Sequence, residues 1–212
     1  MLGAAMWLPA FRVLPGMSMA HTGKGGCPEP PNFPKRIPVF KQAYRNWSGE
    51  ISIDAIWTAT PSSPQDVVTL ANWAHAKGWR IRPRGMKHNW SPISVDPDAT
   101  CESPTLLVDT TAHLTSVSID ASMNPPTVTA QTGISMEAFH TALQNAGLGV
   151  TNCPAPGDLT LGGVLAIDGH GTSVPAVGET PMPGHTFGTV SNLLRAVTAV
   201  VWDSTSETYV LR

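Results

Sequence analysis

The chain has 212 residues, a formal net charge of -2 and 13% charged side chains, about half the share of an ordinary soluble domain. That length suffices for one ample domain, or two lobes sharing a cofactor, around a sizeable core. The near-neutral balance, with no long basic run and no RNA- or DNA-reading signature, excludes wholesale nucleic-acid binding, which needs a clearly positive face. The 20 prolines and 19 glycines argue for a loop-rich globule rather than a helical bundle.

The first twenty residues, MLGAAMWLPAFRVLPGMSMA, are apolar but broken by Pro9 and Pro15, too short and interrupted for a spanning helix. They resemble the apolar region and small-residue end of an export signal, with a cleavage point at Ala20, although the usual leading basic residues are missing. A truncated signal implies a secreted or periplasmic protein; a greasy arm is the alternative. Residues 21–38 are dense in Gly and Pro and read as a linker. The expected organisation is an apolar segment and linker over 1–30, then an α+β domain over 31–212 with lobes at about 31–100 and 101–212.

Alternating Ile51, Ile53 and Ala55 predict a strand over 51–59. A helix follows: Ser63 caps it, Pro64 takes the first helical position, and Asp66 lies three residues after the cap. Val67, Leu70, Ala71 and Ala74 recur at helical spacing, and Gly78 stops the run. Arg80–Pro83 returns as a strand, completing a β-α-β unit. Residues 93–104 read as a loop and lobe boundary. Strands are expected at 105–109 and 127–131, separated by turn chemistry at Asn124-Pro125-Pro126. Ser135 caps a second helix carrying Met136, Phe139 and Leu143, with Gly147 at its end. The tail reads as two strands joined by a polar turn around Asp203–Ser206.

Cys27, Cys101 and Cys153 are far apart and include no C-x-x-C, which argues against zinc. The odd count leaves at least one thiol without an intramolecular partner. One disulfide is possible, but the sequence does not choose the pair, and three unrelated thiols is the simpler reading.

Two stretches carry chemistry. IRPRGMKHNW, residues 81–90, gathers cations around Gly85 and ends near His88. It follows the second strand of the β-α-β unit, the end where ligands collect in open α/β sheets. By residue type, His88 can be a structural hydrogen-bonder, a metal ligand, a general base or a nucleophile. The second stretch, CPAPGDLTLGGVLAIDGHG over 153–171, is punctuated by glycines that suit either backbone approach to an anion or plain turns and bulges. Gly169-His170-Gly171 mimics half a dinucleotide fingerprint, but Pro175 removes the helix that motif requires. A Rossmann site is therefore excluded. Among the other histidines, His75 and His140 fall on helices in solvated or capping roles, and His113 has no motif around it. His170 can face a ligand, and His185 reads as a loop hydrogen-bonder. Trp57, Trp73, Trp90 and Trp202 read as core.

Together the two stretches resemble the FAD-binding domain of the vanillyl-alcohol-oxidase superfamily (PCMH type), and within it the bacterial type II, covalently flavinylated cholesterol oxidases. The likeness runs from about Pro30 to the C-terminus. It rests on PPNFPKRIPVFKQAYRNWS, TPSSPQDVVTLANWAHAKGWRIRPRG, HNWSP, PAPGDLTLGGVLAIDGHGTSVPAVGE, PGHTFGTVSNL and VTAVVW. The resemblance implies a two-lobed fold holding FAD. Arg84, Gly85, Met86, Lys87 and Asn89 would surround its pyrophosphate, and His88 would be bonded through a ring nitrogen to the flavin 8α-methyl carbon. Arg82, Arg84 or Lys87 would offset phosphate charge and favour neutral, nucleophilic imidazole. It further implies contacts from Pro156, Gly157, Asp158, Leu159, Thr160, Gly162 and Gly163, and from Gly169, His170 and Gly171. Gly188, Ser191 and Asn192 form another flavin-contacting segment, with Val197 and Val200 on the adenine side. Met86 and Lys87 stand where the family usually has small residues.

The implied activity is oxidation of an alcohol, a 3β-hydroxysterol by closest likeness, with O2 as acceptor. Reaching a sterol would involve peripheral membrane contact. Relatives continue into a substrate domain, so no substrate-side catalytic base is assigned here, no metal is expected, and the chain alone is expected to be poorly active. The alternatives are a non-catalytic FAD-binding module or truncated gene product, and a sugar-acid or lactone oxidase of the same superfamily.

Overall fold

The computed structural model describes residues 27–180 and 187–212. The export-signal-like stretch and His185 lie outside the described residues. β1 (Val39–Arg45) pairs antiparallel with β2 (Ser52–Ala59). Helix α1 (Pro64–Lys77) leads to β3 (Arg80–Arg84), and β4 (Thr105–Asp109) follows. The sheet order is β1-β2-β4-β3, with β4 parallel to both β2 and β3.

Local chemistry sets α1 as expected. The Ser63 hydroxyl accepts from Asp66 N–H, and the Asp66 carboxylate accepts from Ser63 N–H, satisfying two donors that a helix start leaves bare. Gly78 ends the helix at φ 68°, a left-handed conformation open to glycine. The buried face carries Val68, Leu70, Trp73 and Ala74; the last three pack with Leu106 and Val108 of β4 and with Trp57 and Ala59 of β2.

The second layer group consists of β5 (Val117–Asp120) and β6 (Thr127–Ala130), α2 (Met136–Asn145), the short α3 (Leu161–Ala166) and a 3₁₀ turn at Val190–Leu193. Its core joins Ile134, Met136, Phe139, Leu143, Leu161, Val164 and Val190. The closing hairpin, β7 (Val200–Asp203) and β8 (Thr208–Leu211), packs on α1. There the Asn72 side chain donates to Tyr209 O at 3.0 Å and accepts from Tyr209 N–H at 2.8 Å.

Three expectations change. β4 does not open the second lobe; it fills the slot between β2 and β3, because its apolar Leu106, Leu107 and Val108 are buried there. The tail also returns to the first layer, so the division at residue 100 gives way to a first unit ending near 110 and completed by β7–β8. The described part of the linker is no spacer. Cys27 forms a disulfide with Cys101, and Pro30 is buried. The indoles of Trp57 and Trp73 donate to Pro28 O and Pro31 O, each at 3.1 Å. Cys153 stays free. Among the described residues, no helix is long and apolar enough to cross a membrane.

Candidate functional site

The loop leaving β3 is fixed by its side chains. Arg84 and Asp109, at the ends of the paired strands β3 and β4, form a largely buried ion pair at 2.6 Å. Asp109 also accepts from Thr111 N–H and hydroxyl. Further on, the buried Tyr44 hydroxyl donates to Asn89 Oδ1 at 2.6 Å, and Asn46 Nδ2 donates to Asn89 O at 3.0 Å. Burial pushes the Tyr44 hydroxyl pKa up, against the pull of hydrogen bonds to Asn89 and Ser94 and of the Arg84 charge. Lys87 O accepts from Trp47 N–H, and Lys87 itself takes a left-handed φ of 64°.

These ties leave the backbone donors bare. Among the described residues, no group accepts a hydrogen bond from the N–H of Gly85, Met86, Lys87, His88 or Asn89. Successive free N–H groups across a left-handed residue form a concavity suited to an anion. The buried Arg84 Nε also has no hydrogen-bond partner.

The second stretch abuts this loop. Thr160 caps α3, its hydroxyl accepting from Gly163 N–H at 3.2 Å. A Cβ on Gly85 would collide with the Thr160 side chain, so the two segments meet without a gap. The backbone N–H groups of Leu159 and Thr160 are likewise free of acceptors among the described residues. His88 and Asp158 bring the stretches together most directly: Nε2 lies 3.1 Å from Asp158 Oδ2. Trp47 stacks on the same imidazole, with ring centroids 5.5 Å apart and planes 21° from parallel. The hydrogen bond to His88 holds the Asp158 carboxyl below the ordinary carboxylate range.

Other expected residues take different places. Arg84 is neutralised by Asp109, because the loop needs an internal brace at that strand end. Arg82 lines a small hollow with Arg80, Ser94 and Asp96. The Asn89 side chain is occupied by Tyr44 and Ser91. Met86 is exposed. Gly162 packs on Thr132, Gly169 on Val164 and Gly171 on Cys153 O, so these three serve close packing. Gly157 lies against Glu137, its carbonyl accepting from Glu137 N–H. Pro156 is exposed and Leu159 packs on the second core. His170 pairs by backbone with Thr189, its Nδ1 2.9 Å from Gly171 O. Gly188, at φ 115°, sits against Asn192, whose Nδ2 donates to Phe187 O; Ser191 lies in the adjoining turn. Val197 is exposed ahead of β7, while Val200 lines a cleft of about 370 Å³ between α1 and the hairpin. Trp57 and Trp73 are core, but Trp90 and Trp202 are exposed. His75 packs on Trp202, and His140 Nε2 lies 2.9 Å from Cys153 Sγ.

Trp47 and Asp109 were not anticipated. Trp47 sits in a β1–β2 turn, at the end of a stretch that carried the resemblance without any role for the indole, and Asp109 pairs with Arg84 only once β4 enters the sheet.

A loop of unpaired N–H groups meeting a second glycine-bearing turn defines a site for a phosphate-containing cofactor. The family model described as FAD binding domain matches residues 56–182, spanning both stretches, and the chain belongs to that family. Its cofactor is FAD, and the bare N–H groups of 85–89 fit the pyrophosphate. Among solved structures, a cholesterol oxidase from Brevibacterium sterolicum is 50% identical with a TM-score of 0.84, covering 89% of this chain and 34% of that one. A solvent-stable cholesterol oxidase is 53% identical with a TM-score of 0.85, covering 87% and 34%. A glycopeptide hexose oxidase, 20% identical at TM-score 0.59 over 81% and 30%, shows the fold alone. The chain thus spans about a third of the length of these two cholesterol oxidases. No curated protein matches it.

Proposed function

We propose that this chain is the FAD-binding part of a flavin-dependent alcohol oxidase, with FAD tethered covalently through His88. The reaction is oxidation of a 3β-hydroxysterol to the ketone with reduction of O2 to H2O2. Identity of 50% and 53% to two cholesterol oxidases supports the substrate class. The observation that carries the tether is the imidazole itself: His88 stands at the meeting of the two cofactor stretches, gripped by Trp47 and Asp158. When bound, FAD supplies the hydride acceptor. The chain's own residues bind the pyrophosphate at 85–89 and hold the imidazole. The Cys27–Cys101 disulfide supports a secreted or periplasmic location, since such bonds persist in oxidising compartments.

The test is to load the chain with FAD and precipitate it with acid. The flavin is expected in the pellet, and His88→Ala is expected to release it to the supernatant. A colourless protein that refuses FAD overturns the whole reading. Peroxide formation with a sterol separates an oxidase from a binding module.

A further inference from the structure

An imidazole has two ring nitrogens, and only one can attack. His88 Nε2 faces the Asp158 carboxylate at 3.1 Å, and an ionised carboxylate only accepts hydrogen bonds. In a neutral imidazole, the only form that can attack, that contact puts the proton on Nε2 and the lone pair on Nδ1. No described group hydrogen-bonds to Nδ1. The Trp47 ring fixes the imidazole plane from one face, and Trp47 is itself anchored by its N–H to Lys87 O at 2.8 Å. Orientation and tautomer are each set by a different contact.

We propose that Asp158 and Trp47 are positioning residues for the tethering reaction, Asp158 holding the Nε2 proton and Trp47 the ring plane, so that Nδ1 is presented to the flavin 8α carbon. The proposal rests on the covalent reading above. In the step, a bond forms between Nδ1 and the 8α carbon while a C–H bond of the methyl group breaks. One proton leaves that carbon and one leaves the imidazole; the C–H electron pair passes to the flavin. Dioxygen then takes two electrons and two protons to give H2O2, so atoms and electrons balance. As the new bond forms, positive charge grows on the ring, and the carboxylate beside Nε2 offsets it. Both residues act through the imidazole they contact.

The alternative is that Asp158, 67% exposed at its side chain, is a surface carboxylate making an incidental contact. Asp158→Asn separates the two, because it can keep a hydrogen bond but carries no charge. Apoprotein of the 212-residue chain is mixed with saturating FAD in air, and acid-precipitated samples are read over time for flavin retained in the pellet and peroxide released. Asp158→Asn and Asp158→Ala are expected to slow attachment about 10- to 100-fold, the usual scale for a group orienting a reactive histidine. Asp158→Glu is expected to recover most of the rate. Trp47→Ala is expected to slow attachment and Trp47→Phe to restore it. Asp158→Asn attaching flavin at the wild-type rate overturns the proposal while leaving the tether intact. Wild-type protein that binds FAD but retains none after acid overturns the tether and the positioning pair together.

Discussion

The two stretches that meet at His88 are built on opposite plans. In residues 84–89 the side chains hold the loop, through Arg84 to Asp109 and Asn89 to Tyr44, and the backbone N–H groups are left bare. In residues 157–171 side chains are missing where neighbours press closest, at Gly162 against Thr132 and Gly171 against Cys153 O. The first presents backbone by bracing it; the second lets elements approach by removing bulk. Runs of glycine near a cofactor are easily credited with ligand contacts. Here most of them are explained by protein touching protein, and the free N–H groups lie in the braced loop and at Leu159 and Thr160.

The comparison can be broken most sharply at Asp109. Removing one partner of a buried ion pair leaves an uncompensated charge, so Asp109→Ala is expected to lose about 3–5 kcal/mol in urea unfolding. It should also weaken FAD binding, because the loop loses its brace. Next come the packing glycines. Gly162→Ala places a Cβ 2.7 Å from Thr132 Cβ and 2.9 Å from its carbonyl oxygen, an overpacking expected to cost about 1–3 kcal/mol. Gly85→Ala tests the seam, since the nearest atoms to its Cβ all belong to the Thr160 side chain. Combined with Thr160→Ala it should be less damaging than the sum of the two, by more than about 0.5 kcal/mol. Additive losses would mean that the two stretches do not bear on each other there.

The smallest effect is the reference, away from the site. Hydrogen bonds from Ser62 and Ser63 together outweigh the effect of burial and hold the Asp66 carboxyl below its ordinary range. With the folded pKa below the unfolded one, the stabilisation is complete above the unfolded value and lost as pH falls through the folded one. Ser63→Ala is expected to cost about 1 kcal/mol, and Asp66→Asn to flatten the acid limb of a thermal-melt series. Thr160→Ala costing clearly more than Ser63→Ala would mark the α3 cap as also supporting the seam.

What was legible in the sequence was local. Helix α1 announced both its ends through Ser63, Pro64, Asp66 and Gly78, and α2 did so through Ser135 and Gly147, because caps and stops act within a turn. The closing hairpin was readable for the same reason. Strand order was not: TLLVD is recognisable as a strand, but its position between β2 and β3 depends on pairing across the chain. β1 went unread, its alternation blurred by the register shift between Gln42 and Tyr44. The cysteine pairing required knowing that residue 101 returns beside residue 27. At the site, His88 and Gly85 were marked by their motif. Asp109 and Trp47 were not, since neither spacing nor composition distinguishes a brace or stacking ring from an ordinary residue.

The strand order also dictates a sequence of events during synthesis. With β2 and β3 made first, the space between them has no occupant until Asp109 has been added. The outer face of α1 stays uncovered longer still, until Tyr209 reaches Asn72 from 137 positions away. Contacts this distant close slowly. Until the β7–β8 hairpin arrives, the side of α1 bearing Val67, Ala71 and His75 has no cover from it.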